Sequence, residues 1–244
     1  MRVVSLLFHD VYASDPHESG FRLPAADRYK LSIPDFEAQL DGLWEASAQL
    51  TFDDGGISYY TVVADRLETV GLRGRCFVST DFIGERGFLS AAQIRELDSR
   101  GHVIGTHSAS HPPRFSALTP ARMRDEWANS RGRLEDLLGR AVTVGSVPGG
   151  YFSIDVARAA AQTGLRTLFT SEPTAKASVV DECALIGRFT IRRGHPHDMA
   201  RRFVAAPPWA RCSAWVGWNA KALVKPVLGA SYARVADWIL EPNR

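Results

Sequence analysis

The stretch Leu50-Thr51-Phe52-Asp53-Asp54-Gly55 decides how this chain is read. Residues 48–52 are apolar enough for a buried strand, and the run ends in two adjacent carboxylates with Gly55 directly behind them. Neighbouring side chains on a strand point to opposite faces, but where the chain turns at a strand end both can reach one cavity. One carboxylate can then hold a cation while its neighbour stays free as a general base. Taken by itself, Asp-Asp-Gly also fits a solvated turn before Gly55-Gly56.

A second stretch gives the pair its meaning. Gly105-Thr106-His107-Ser108-Ala109-Ser110-His111-Pro112 places two imidazoles four positions apart, just after a predicted strand over residues 102–106. In a short helical turn, i and i+4 share a face about 6 Å apart at Cβ, so both rings can bind one ion. Neutral imidazole suits zinc and other late divalent metals. Two histidines and one carboxylate leave positions open for water and substrate, as a catalytic metal site requires.

Around these stretches, strand and helix alternate. Residues 3–8 form a continuous apolar strand ending at His9-Asp10, and residues 11–31 are a long loop. Ser32, with Asp35 three residues on, caps a helix whose apolar stripe is Ile33, Phe36, Leu40, Leu43 and Trp44. A helix over 58–70 stops at Gly71, and residues 75–79 make the next strand. Ser90 with Gln93, then Thr119 with Pro120, mark two further helix starts. The second of these helices turns Met123, Trp127, Leu134, Leu137 and Leu138 inward. Strands over 142–147 and 165–170 flank a helix from Ser153 to Gly164, and residues 184–192 hold one or two more. Such alternation predicts parallel strands with helical crossovers, in an open doubly wound sheet or a barrel. The chemical groups His9, Asp53, Asp54, His107, His111 and Pro148-Gly149-Gly150 all fall just after strands. That convergence favours a barrel.

The bulk properties exclude several classes. A chain of 244 residues fits one large α/β domain or two small ones, and 45% apolar residues supply a full core. A net charge of +2 gives no ground for a nucleic-acid partner. No apolar run approaches the roughly 18 residues of a membrane span. The opening residues lack a small-residue cleavage site after their short apolar part. Cys76, Cys183 and Cys212 are odd in number and show no CxxC spacing, so a reducing, cytoplasmic setting is expected. Beyond His195 the strand signal fades. Arg201, Arg202, Trp209, Arg211, Trp215, Trp218, Lys221 and Lys225 are read as helices packed on the barrel, with peripheral contact to the inner membrane face as the alternative.

Thr51-Phe52-Asp53-Asp54-Gly55 followed by His107-Ser108 and His111 resembles the polysaccharide deacetylase family, carbohydrate esterase family four, with its NodB homology domain. Leu6-Leu7-Phe8-His9-Asp10-Val11 looks like that family's opening strand, and residues 31–40 like its first helix. Ser146-Val147-Pro148-Gly149-Gly150 sits where its third motif belongs, so the likeness covers about residues 3–192. The resemblance implies a distorted (β/α)7 barrel over residues 1–195 with a helical extension over 196–244. It implies removal of an acetyl group, N-acetyl first, from a sugar of a glycan or of its lipid- or nucleotide-linked precursor. Carried over by position, Asp53 is the general base, and Asp54, His107 and His111 bind a divalent metal: zinc, with cobalt, nickel or manganese as alternatives. Pro148, Gly149 and Gly150 border the substrate and its oxyanion.

Three departures stand out. The arginine that opens the family's third motif is replaced by Ser146, and Arg188 or Arg192 on a late strand is the candidate substitute. No fourth motif is visible around Phe169-Thr170-Ser171-Glu172. The late histidines His195 and His197 lack the strand context of the family's proton donor, which leaves His9 as a candidate facing the pocket. Hydrolysis of C–N bonds in a small cyclic amide, and a non-catalytic sugar-binding relative, are the alternative readings.

Overall fold

The chain divides into two units, Met1–Ala206 and Pro207–Arg244. A computed structural model describes residues 3–43, 48–205, 207 and 211, so Trp44 and the tail residues Trp209, Trp215, Trp218, Lys221 and Lys225 lie outside the described residues.

The first unit is built on β1 (Val4–Phe8), whose Ser5, Leu6, Leu7 and Phe8 are all buried, as a strand covered on both faces must be. Two short strands follow in the connecting segment, β2 (Val11–Tyr12) and β3 (Leu31–Ser32), paired parallel to each other, with the short helix α1 (Pro24–Asp27) between them. The Ser32 hydroxyl accepts from the Asp35 N–H and starts α2 (Ile33–Leu40). The strand β4 (Ala48–Phe52) then pairs with all five residues of β1.

The helix expected over 58–70 is in fact two coils. Tyr59–Val63 winds as a wider π turn and α3 (Ala64–Thr69) continues it. Ser58 does not cap it, because its hydroxyl is committed to the Val11 N–H and Asp10. Next come β5 (Arg75–Val78), α4 (Ala91–Ser99) with the Ser90/Gln93 capping box, and β6 (Val103–Thr106). The long helix α5 (Pro120–Leu138) is capped by Thr119 and stopped by Gly139 in the left-handed region. β7 (Val144–Ser146), α6 (Ile154–Gln162) and β8 (Thr167–Phe169) complete the alternation. The next strand, β9 (Ser178–Val180), was not anticipated, since Ser178 and Val179 are exposed and carry no core pattern. β10 (Cys183–Ile186), β11 (Phe189–Thr190) and α7 (Met199–Ala205) follow.

The strand order is β11-β1-β4-β5-β6-β7-β8-β10-β9, parallel throughout except for β9 at one edge. β10 and β11 stand near opposite ends of that row, yet only Gly187 and Arg188 join them. Three Cα steps span at most about 11 Å, so the sheet must curl until its ends meet. The result is a distorted barrel whose regularity fails after β8, where the β9 strand replaces a helix. Inside it, Phe77, Phe169 and Ile186 form a packed layer. Outside, Trp127, Met123, Val156, Ala160 and Leu168 fill the space between α5, α6 and the sheet. The unit extends beyond the expected limit at residue 195. Phe203 of α7 stacks on Phe189 at 4.9 Å, and Gln39 of α2 bonds both Pro196 O and Ala200 N.

Candidate active site

Each site residue sits where a parallel strand ends, because the backbone ladder carries the chain to the rim and then releases it. The Asp53 N–H still bonds Phe8 O, and the His107 N–H bonds Val78 O, so both residues stay registered to neighbouring strands. Asp54 then turns at φ +77°, a left-handed conformation that non-glycine residues seldom adopt. Ser108 (φ +67°) and His111 (φ +51°) do the same. Three strained residues around one point mark a place where surrounding bonds over-determine the backbone.

The loop 107–111 is not the helical turn expected from the i, i+4 spacing. Pro112 follows His111 and disfavours the helical region for it. The buried carboxylate of Glu126 on α5 also captures the loop's free donors: the N–H groups of Ala109 (3.1 Å) and Ser110 (2.9 Å) and the Ser110 hydroxyl (2.8 Å). The rings still converge. Asp54 Oδ1 lies 3.4 Å from His107 Nε2 and 3.5 Å from His111 Nε2. Among the described residues these three form the one group of His, Cys, Asp or Glu side chains able to share an ion.

The spacing fits a cation. Four bonds of about 2.05 Å in a tetrahedron put ligand atoms about 3.3 Å apart, whereas N–H···O bonds cluster near 2.9 Å. The donor set fits too. His107 Nδ1 lies 3.0 Å from Ser146 O, a carbonyl that can only accept, so this nitrogen carries the proton and Nε2 offers its lone pair. Burial works against charge on His107, but the carboxylates of Asp53 and Asp54 outweigh it and raise its pKa. On His111 burial wins and lowers it. Asp54 is also buried, yet the two rings beside it hold its carboxyl well below the usual range.

Asp53 belongs to a different network. Arg188, in the link between β10 and β11, grips it through both oxygens at 2.7 and 2.8 Å. The Ser146 hydroxyl donates to Asp53 Oδ2 (3.0 Å) and receives from Arg188 Nη2 (2.8 Å). The remaining guanidinium donors meet Thr170 O and the Thr51 hydroxyl. The guanidinium is fully buried, 5.9 Å over both Phe77 and Phe169. Burial pushes Asp53 up, but Arg188, helped by His107, more than offsets this and lowers it, so the side chain is a carboxylate at neutral pH. A serine at 146 leaves room for a guanidinium arriving from across the barrel. Arg192, the other candidate, instead donates to His195 Nε2.

The remaining candidates separate. His9 follows β1 with its ring 4.9 Å from that of Tyr29, and its Nδ1 is buried with no bonding partner among the described residues. Pro148–Gly150 forms a tight turn after β7, with Gly149 at φ +60° next to Pro113 O of the histidine loop. His195 is held by Arg192 and driven down to about 4 by burial, then by that guanidinium. His197 pairs with Asp35 on α2 at 3.3 Å. Glu126, Ser146, Thr51 and Thr170 were not singled out as working parts from the sequence. Only Glu126 had a signal there: it is the one carboxylate on the Met123–Trp127–Ser130–Leu134 face of α5.

An α/β barrel with two histidines and two carboxylates at one rim defines the class, and the chain belongs to the polysaccharide deacetylase family, whose sequence profile matches residues 44–168. It is 30% identical over 129 residues to the peptidoglycan-N-acetylmuramic acid deacetylase PdaA of Bacillus subtilis, covering 52% of this chain and 47% of that protein. A chitin deacetylase of Pestalotiopsis sp is 29% identical over 104 residues, covering 43% and 34%. The chain thus spans about half the length of PdaA or less of such relatives. The fold is shared with the Streptococcus pyogenes deacetylase PplD solved with acetate, at a TM-score of 0.70 and 18% identity over 85% of this chain and 99% of that one. IcaB from Ammonifex degensii gives 0.64 and 22% over 88% and 96%.

Proposed function

We propose that this protein is a metal-dependent hydrolase that removes an acetyl group, N-acetyl first, from a sugar of a glycan or of its lipid- or nucleotide-linked precursor. The observation that carries this reading is the convergence of Asp54, His107 and His111 on one point, with a second, ionised carboxylate beside it. Those three residues would hold a divalent cation, zinc first and cobalt, nickel or manganese as alternatives. Such an ion, when bound, polarises the acetyl carbonyl and acidifies a water molecule.

The protein's own groups do the rest. Asp53 takes the proton from the attacking water, and Arg188 fixes the direction of both its oxygens. The Nδ1–H of His107 stays on Ser146 O, which keeps the ring oriented. A backbone N–H at Gly149 or Gly150 donates to the oxygen that gains charge in the tetrahedral intermediate, where a glycine lets the chain approach closely. His9 returns a proton to the leaving amine, a role supported by its place at the β1 end and by its buried Nδ1, which has no partner among the described residues. The non-catalytic reading drew on the arginine missing from the third motif and on the lack of a clear proton donor, and the contact of Arg188 with Asp53 speaks against the first of these grounds.

The test is acetate release from N-acetylated chito-oligosaccharides and peptidoglycan fragments by zinc-loaded protein. Wild type should release acetate, and Asp53→Asn should lose that release while binding metal as before. Equal, negligible release by both would overturn the reading, and turnover of small cyclic amides alone would favour the C–N hydrolase alternative.

A further inference from the structure

Exposure is uneven across the site. Asp53, His107 and Asp54 side chains are 3%, 1% and 9% exposed, but that of His111 is 22% exposed. The ring lying against His111 is Phe21, 4.8 Å away between centroids. Phe21 is half-buried, and it meets Phe82 and Phe88 edge-on at 4.9 and 5.1 Å, so its orientation is fixed by two more rings.

The segment carrying Phe21 is held with unusual force for a connection between strands. Lys30 is 1% exposed, and its ammonium donates to Pro16 O (2.7 Å), Ser19 O (2.8 Å) and Phe21 O (2.6 Å). Asp10, also buried, receives the hydroxyls of Ser19 (2.6 Å) and Ser58 (3.0 Å). The Gly20 N–H bonds Gly87 O, tying the segment to the loop that carries Phe88. Gly20 has φ +63°, and a Cβ there would lie 2.0 Å from Asp10 Oδ2. Buried charges are costly unless their bonds are complete. The Lys30 ammonium meets that condition, with three carbonyl acceptors at Pro16, Ser19 and Phe21 itself, so a half-buried aromatic ring stands fixed against a candidate metal ligand.

We propose that Phe21 is the sugar platform of the site: its ring packs on the apolar C–H face of the pyranose whose acetyl group reaches Asp54, His107 and His111. The proposal rests on the deacetylase reading above and deepens it by assigning the side chain that holds the sugar ring. A small acyl ester without that ring gains nothing from Phe21. Phe21 is thus a specificity-determining residue, and Lys30 positions it.

The experiment compares kcat/KM for an N-acetylated chito-oligosaccharide with that for methyl acetate, using zinc-loaded protein. Phe21→Leu should lower the sugar-to-ester ratio about three- to tenfold, mainly through KM, while Phe21→Tyr keeps it near wild type. Lys30→Met, which frees the segment, should lower the ratio in the same direction. An unchanged ratio in Phe21→Leu at wild-type melting temperature and metal content would overturn the proposal, as would equal losses in Phe21→Leu and Phe21→Tyr. If Phe21→Leu does not fold, saturation-transfer NMR on the wild type decides. Transfer from aromatic protons to the sugar's C–H protons is expected, and its absence would sink the idea. A wild type that cleaves no acetylated sugar at all defeats the deacetylase reading as well, and that result is visible without any Phe21 variant.

Discussion

Strand β6 carries a histidine at each end, and the two sit in opposite chemistry. His102, before the strand, is saturated: Nδ1 receives the Tyr59 hydroxyl (2.7 Å) and the Gly74 N–H (3.2 Å), and Nε2 meets Glu68 at 3.0 Å. Arg100 in turn grips Glu68 at 2.8 Å. His107, after the strand, spends Nδ1 on a carbonyl and leaves Nε2 facing Asp54 and Asp53 at 3.4 and 3.9 Å. Both clusters contain a histidine, a carboxylate and an arginine. The difference is that one bonds both ring nitrogens and the other turns its Nε2 toward two carboxylates. In parallel α/β barrels the strand C-termini carry the chemistry and the N-termini carry stability. This strand shows why composition alone does not tell the two ends apart.

Substitution at the two ends should separate them most sharply. His107→Ala is expected to drop bound metal from one ion per chain to background, and acetate release with it, by elemental analysis and a coupled acetate assay. His102→Ala should keep metal and turnover but lose about 2–3 kcal/mol of unfolding free energy in urea, since it strands three bonded groups. If His102→Ala lost the metal, the division between the two ends would fail. Next in size is Asp53→Asn, expected to keep the ion and lose about 10²–10⁴-fold in kcat.

Arg188→Met leaves Asp53 as an uncompensated buried charge and should cost about 3–5 kcal/mol, part of which Asp53→Asn restores in the double variant. Glu126→Gln loosens the loop that holds His111, and a metal affinity about tenfold weaker is expected by competition with a chelator. The smallest effect concerns pH. Burial lowers the pKa of His102, so the neutral ring is the folded form. Its contribution is complete above the unfolded pKa of about 6.5 and fades as pH falls toward the lower folded value. The stability gap between wild type and His102→Gln should therefore narrow from pH 7 to pH 5. A constant gap would contradict it.

The strands and caps were legible because they are written locally. Ser90 with Gln93, Thr119 with Pro120 and the apolar run before Asp53 each state their own structure within a few residues. The two histidines and two carboxylates were legible for the same reason, although the turn joining His107 to His111 was not, because Pro112 and Glu126 reshape it from outside. Arg188 emerged from sequence only as one of two candidates, since its contact with Asp53 spans 135 positions and depends on the sheet curling until β10 meets β11. Ser146 looked like a lost arginine. Its meaning is steric and electrostatic, a small hydroxyl between Asp53 and a guanidinium that enters from another strand. The segment 11–31 read as a loop, and nothing local announced that Lys30 and Asp10 would lock it around Phe21.

Anomalous diffraction from a zinc-loaded crystal reads the site most directly. One peak is expected about 2.0–2.2 Å from Asp54, His107 Nε2 and His111 Nε2, with Asp53 still paired to Arg188 and outside the coordination shell. A peak coordinated by Asp53, or a fully loaded crystal with no peak between the two histidines, would contradict the division between a metal-holding triad and a free base.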